Sequence, residues 1–86
     1  MNLKQEELLE QVIQEMKKHY SRFQVRVLSE EGNKVRIAVQ MPKNEEKNWK
    51  LSRLLAERLT TILVDYGYYF WVIEMPQKSP PLRKIA

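Results

Sequence analysis

The segment from Tyr20 to Met41 alternates between apolar and polar side chains on both sides of one short turn. Period-two alternation predicts two β-strands with one face buried and the other in water. A sheet covered on both faces would not carry charges at alternate positions, so this hairpin requires a sheet with one open face. The intervening polar residues are mostly arginine, lysine and glutamine, and the apolar positions are Phe23, Val25, Val27, Val35, Ile37 and Val39.

Two amphipathic helices and a third strand flank the hairpin. Apolar residues spaced by three and four positions predict helices over about 3–20 and about 45–66. An asparagine that can cap the backbone precedes each helix, and Gly67 is suited to end the second one. The aromatic and β-branched segment from Tyr68 to Met75 predicts the third strand.

The element order is therefore αββαβ, in which the second strand, the long helix and the third strand form a crossover unit with parallel strands. Both helices have one apolar stripe, and the covered face of the sheet is the surface that can bury them. We predict an α+β fold, a two-layer αββαβ sandwich whose three-stranded sheet has two helices on one face and the other face open. We expect residues 1–76 to form this single domain and residues 77–86 to form a basic, proline-containing tail.

The register of the hairpin decides which charges share the open face. A turn over residues 29–33, centred on Glu31, places Arg26 directly opposite Arg36. Like charges opposite each other on one face repel and cost up to ~1 kcal/mol. An anionic ligand such as a phosphate backbone would relieve this repulsion. We therefore interpret the basic side of the hairpin as a candidate binding surface.

The third strand adds aromatic residues to this surface. It ends much like the second strand, and a shared phase puts Tyr68, Phe70 and Glu74 on the open face, with Tyr69 and Trp71 toward the helices. Aromatic residues between basic ones form a platform on which bases stack while phosphates are neutralised. The candidate nucleic-acid-binding residues are Arg22, Arg26, Lys34, Arg36, Tyr68, Phe70, Lys78, Arg83 and Lys84.

Three interpretations of the open face are compatible with the sequence: a solvated surface without a ligand, an RNA- or DNA-binding surface, and a protein interface. The net charge of +4 favours an acidic partner, and residues 17–50 hold nine basic residues against four acidic ones. As the alternative function we consider a protein-interaction subunit, a homodimer or an adaptor, because a three-stranded sheet leaves exposed edges. Trp49, near the start of the second helix, is expected to pack over the seam between helix and sheet, or else to be an exposed anchor for a partner.

The order αββαβ resembles, at a coarse level, the type II KH arrangement, in which a helix and a strand precede a strand–helix–helix–strand unit. Residues 42–48 would supply the short first helix of that unit. The GxxG loop with which the KH family grips the nucleic-acid backbone is absent, since neither Gly32 nor Gly67 has a glycine three residues away. The resemblance covers topology alone, implies no site residues and modestly favours RNA as a ligand.

The sequence does not favour catalysis. It has no cysteine, one histidine (His19), no carboxylates at metal-ligand spacing, no GxSxG elbow and no glycine-rich phosphate loop. We expect a non-catalytic protein with no cofactor, no metal and no small-molecule substrate. The polar, acidic N-terminus and the short apolar runs predict neither a signal peptide nor a membrane span. We therefore expect a cytoplasmic protein without a membrane partner.

Overall fold

Two helices and three strands follow each other in the predicted order. In the computed structural model, which describes residues 1–75, the bounds are α1 Leu3–His19, β1 Gln24–Glu31, β2 Lys34–Gln40, α2 Glu45–Tyr66 and β3 Tyr69–Glu74. The α+β sandwich is confirmed, with both helices on one face of the sheet and the other face open. The predicted basic tail, with Lys78, Arg83 and Lys84, lies outside the described residues.

Both helices begin after the asparagines that predicted them, and α2 ends at the predicted Gly67. The side chains of Asn2 and Asn44 accept backbone N–H groups from Gln5 at 2.7 Å and from Lys47 at 2.9 Å, which caps α1 and α2. The Gln5 side chain accepts the Asn2 N–H in return at 2.8 Å, which completes a capping box. Gly67 ends α2 with φ 77°, a left-handed conformation in which glycine has no Cβ to clash.

The core lies between the helices and the covered face of the sheet. β2 is the central strand, antiparallel to β1 and parallel to β3. Gln5 is the one buried polar residue among those described, and its Nε2 donates to the Gly32 carbonyl at 3.4 Å, which ties the start of α1 to the hairpin turn. The buried apolar cluster is Leu8, Leu9, Val12, Met16, Phe23, Val35, Ile37, Val39, Met41, Leu51, Leu55, Leu59, Ile62 and Phe70.

The hairpin turn is shorter than predicted. The strands are joined by Gly32 and Asn33 alone, and Glu31 pairs with Lys34 directly across the turn. Gly32 has φ 61°, as expected of a two-residue hairpin loop, whose positive φ values match the twist of the flanking strands. The predicted five-residue turn over 29–33 is therefore wrong, because its first three residues belong to β1.

The shorter turn changes the register of the hairpin. A bulge between Val27 and Ser29 absorbs one residue of β1, so the pairing beyond it is shifted. As a result Arg26 pairs with Ala38, and Ser29 is the partner of Arg36. The predicted direct pairing of Arg26 with Arg36 is wrong. The two arginines share the open face as diagonal neighbours, and such positions lie about 7–8 Å apart.

The third strand has the opposite phase to the one predicted. Phe70 is only 4% exposed, pairs with Val35 and belongs to the core, whereas Trp71 lies on the open face. Tyr68 precedes β3 and packs partly against the core, with its ring stacked on that of Tyr66. The prediction that Tyr68 and Phe70 lie on the open face is therefore wrong.

Glu74 also lies on the helix side of the sheet, because it pairs with the buried Val39 of β2, and its side chain is exposed at the end of the strand. Its carboxylate accepts a hydrogen bond at 2.7 Å from the side-chain amide of Asn48 in the first turn of α2. The prediction that Glu74 lies on the open face is therefore wrong, because the phase of β3 is opposite to the one predicted.

The link between β2 and β3 contains one helix. Residues 42–44 form a non-helical connection, and α2 begins at Glu45. The short extra helix that the type II KH arrangement requires is therefore not formed. No helix within residues 1–75 is both long and apolar enough to cross a lipid bilayer.

Candidate nucleic-acid interface

The open face consists of the side chains that point away from the helices. Val35, Ile37 and Val39 of β2 are buried toward the helices, so the residues between them point to the other side. Residues paired across neighbouring strands point to the same side, which extends the face to β1 and β3. The open face comprises Gln24, Arg26, Ser29, Glu31, Lys34, Arg36, Ala38, Gln40, Tyr69, Trp71 and Ile73.

The centre of this face is a contact between Arg36 and Trp71. The parallel register of β2 and β3 makes these two residues direct partners. The guanidinium carbon of Arg36 lies 5.0 Å from the centroid of the Trp71 ring, within the range of a cation–π contact. Trp71 is nevertheless 52% exposed, so a large part of its indole remains accessible to a ligand.

Two further side chains of β3 flank Trp71 on the same face. Tyr69 and Ile73 lie two residues to either side of it and are both exposed. The three side chains form an accessible strip along β3, an edge strand of the sheet. An exposed strip of this kind marks a surface that can bind a partner or a flat ligand.

The charges of the open face are unequally compensated. Lys34 pairs across the hairpin with Glu31, so opposite charges face each other at the turn. Neither Arg26 nor Arg36 takes part in an ion pair with any other residue between 1 and 75. Within residues 1–75 Lys34 is in no ion pair either, but unlike the two arginines it has an acidic residue opposite it, so Arg26 and Arg36 are the least compensated positive charges of this face.

The structure brings together only part of the predicted site. Arg26, Lys34 and Arg36 share the open face, whereas Arg22 precedes β1 and lines a separate cleft at the end of the sheet. Phe70 is buried and cannot contact a ligand. The residues that the sequence did not reveal as members of this face are Tyr69, Trp71 and Ile73. Polar residues at alternate positions would have shown which side of β3 faces water, but residues 68–73 are all aromatic or aliphatic.

The second tryptophan lies away from the open face. Trp49 is on α2 and is 61% exposed, so the expectation that it packs over the helix–sheet seam is wrong. The guanidinium carbon of Arg53 lies 5.6 Å from the centroid of its ring. The chain therefore has two exposed tryptophan–arginine pairs, one on the open face and one on a helix.

Comparison with known proteins assigns none of these residues a role. The chain matches no protein-family model, and no curated protein and no solved structure is significantly similar to it. Within residues 1–75, no three side chains of the metal-binding types lie close enough together to hold a metal ion. The chemistry of the open face must therefore be derived from its own side chains.

Proposed function

We propose that the protein is a non-catalytic module that binds single-stranded RNA or DNA across the open face of its sheet. The observation that carries the proposal is the contact between Arg36 and the half-exposed Trp71 at the centre of that face. The indole provides a flat apolar surface for a base, and the arginine beside it provides a charge for a phosphate. These are the two components of single-strand recognition.

Bases would stack on Trp71 and Tyr69, while Arg26 and Arg36 neutralise the phosphates between them. In a duplex the bases are already stacked on each other, so exposed aromatic side chains favour single strands. Stacking does not distinguish strongly among bases, because every base has a π-face. We therefore expect broad sequence tolerance and a marked dependence on salt.

The salt dependence follows from the number of uncompensated charges. For single strands the slope of log affinity against log salt is about −0.7 for each neutralised phosphate. Two phosphates, one for each of Arg26 and Arg36, give a slope of about −1.4. Contacts by additional basic residues would make the slope steeper.

The test measures the fluorescence anisotropy of a labelled twelve-nucleotide oligo-uridine at low salt. Loss of one stacked base costs about 1–3 kcal/mol, so Trp71→Ala should weaken binding by about 5- to 150-fold. Arg36→Glu should also weaken binding and should reduce the salt slope.

The second tryptophan–arginine pair provides matched controls. Trp49→Ala and Arg53→Glu remove the same side-chain types from α2 and should leave the affinity nearly unchanged. If the parent does not bind the oligonucleotide at low salt, or if the Trp49 and Trp71 variants lose affinity equally, the open face is not the binding surface.

A further inference from the structure

A cleft of about 690 Å³ opens at the end of the sheet, where β2 ends. The last residue of α1, the last residue of β2 and the first turn of α2 all contribute to its lining. Its walls also include the apolar side chains of Tyr20, Leu51 and Leu54. We call this feature the basic cleft, because its charged or titratable lining residues are His19, Arg22, Lys43, Lys47 and Lys50.

The positive charge of the basic cleft is largely uncompensated. No aspartate or glutamate is among its lining residues. The Lys50 ammonium pairs with Glu46 at 3.4 Å, but both side chains are well exposed and such a pair is weak. Among residues 1–75, Arg22, Lys43 and Lys47 take part in no ion pair. Cations grouped around one cavity repel each other, and an anion placed among them would relieve that repulsion.

The size and the walls of the basic cleft limit the kind of anion that fits. Small-molecule sites in proteins usually enclose about 300–1,000 Å³, and this cleft lies within that range. A bare inorganic anion would leave the apolar walls formed by Tyr20, Leu51 and Leu54 uncovered. A ligand with both a phosphate and a flat organic group would contact the basic and the apolar sides together.

We propose that the basic cleft is a second binding site, which takes a nucleotide unit through its phosphate. Arg22 can hold a phosphate with two parallel hydrogen bonds, and Lys43 and Lys47 contribute point charges. The base lies against Tyr20 and the two leucines. This site is distinct from the open face, and its existence does not depend on the function proposed for that face.

The nucleotide unit has two possible sources with the same chemistry: a free nucleotide, or one nucleotide of a longer strand. Gln40 both lines the basic cleft and pairs with Gln24 at the end of the hairpin. The basic cleft is therefore adjacent to the end of the open face, and a strand lying on that face would reach it. Titrations with a mononucleotide and with an oligonucleotide separate these two sources.

The test follows the amide signals of the ¹⁵N-labelled protein by NMR during titration with adenosine monophosphate. We expect shifts confined to residues 19–22 and 40–51, and no such shifts with adenosine, which lacks the phosphate. The double variant Lys43→Gln/Lys47→Gln should weaken this binding at least tenfold. Its control, Lys4→Gln/Lys17→Gln, removes the same charge from residues that do not line the cleft and should bind as the parent does. The amide spectrum of each variant also reports whether it is folded.

A second titration with an unlabelled twelve-nucleotide oligo-uridine identifies the source of the nucleotide. If only the oligonucleotide shifts the cleft signals, and the cleft variant removes those shifts, the ligand is a nucleotide within a strand. If neither ligand shifts them, or if sodium chloride at equal ionic strength causes the same shifts, the proposal is overturned. Trp71→Ala should leave binding of the monophosphate unchanged, so failure at the open face and failure at the cleft are distinguishable.

Discussion

Neighbouring residues of β3 offer the sharpest test of which face of the sheet is open. We expect Phe70→Ala to destabilise the fold far more than Trp71→Thr, although tryptophan is the larger side chain. Phe70 is 4% exposed within the core, and Trp71 is 52% exposed on the open face. The order of the two effects is therefore determined by the phase of the strand and not by the size of the side chain.

The magnitudes follow from the burial of each ring. Truncation of a buried phenylalanine to alanine costs about 3–5 kcal/mol. A tryptophan buries about 200 Å² when enclosed, so the half-exposed Trp71 buries about 100 Å². At ~25 cal/mol per Å² its complete loss would cost at most ~2.5 kcal/mol, and threonine restores part of that area. We expect about 1–2 kcal/mol for Trp71→Thr, with a favourable strand residue retained.

The assay is urea unfolding followed by far-ultraviolet circular dichroism, which does not depend on the tryptophan being replaced. A chain of 86 residues is expected to have a free energy of unfolding of roughly 4–13 kcal/mol, so both variants should give measurable changes. A Phe70→Ala variant that is unfolded in buffer would also place Phe70 in the core. If Trp71→Thr costs as much as Phe70→Ala or more, the phase is inverted, and Tyr68 and Phe70 form the open face after all.

Two further predictions concern the supports of the fold. Gln5→Ala removes the hydrogen bond to the Gly32 carbonyl and one half of the capping box. It should lower the free energy of unfolding by about 1–3 kcal/mol in the same assay. The control Gln11→Ala, on the exposed side of α1, should change that free energy by less than ~0.5 kcal/mol. Two hydrogen bonds of 2.8 Å from Arg58 hold the pKa of Glu15 below its ordinary value. The contribution of this contact to stability is therefore fully present at a pH above the ordinary pKa of glutamate, and it is lost as the pH falls through the lowered pKa of the folded protein. In an NMR titration Arg58→Gln should raise the pKa of Glu15, and an unchanged pKa would contradict this assignment.

The helices were predictable because their signals are local. Asn44 and Gly67 act within one turn of α2, and the structure places the cap and the terminator at these positions. The hairpin turn was less predictable, because residues 29–33 are compatible with either a five-residue or a two-residue connection. In the observed register Phe23 and Ile37 are completely buried, and the bulge in β1 accommodates Leu28, which has no pairing partner in β2. The two-residue turn at Gly32 and Asn33 and the burial of the core residues agree on this register.

The phase of β3 could not be predicted from its own residues. From Tyr68 to Ile73 every side chain is aromatic or aliphatic, so hydropathy does not distinguish one face from the other. The likeness of the end of β3 to the end of β2 suggested a shared phase, but in the structure Glu74 pairs with Val39 on the helix side. Only the parallel pairing with β2 determines that Trp71 lies beside Arg36.

The basic cleft could not be predicted from the sequence for a different reason. Its basic residues come from the end of α1, the segment before β1, the connection between β2 and α2, and the start of α2, so no single stretch of the sequence predicts the cleft. His19 lies at the negative end of the α1 dipole, which accounts for its position on the helix but not for its neighbours in the cleft. The antiparallel return of the chain through the hairpin brings these segments together, so the site exists only in the folded protein.

The bulge in β1 also limits how two copies of the chain could associate. It interrupts one edge of the sheet between Val27 and Ser29, whereas the pairing of β3 with β2 has no irregularity. Bulged edges resist the addition of a further strand, so strand pairing between copies would use β3. A two-fold axis perpendicular to the sheet would then join the copies into one continuous six-stranded sheet, with both open faces on the same side. Such a dimer would place two Trp71 side chains on one uninterrupted surface, and the length of nucleic acid covered would double together with the mass in solution.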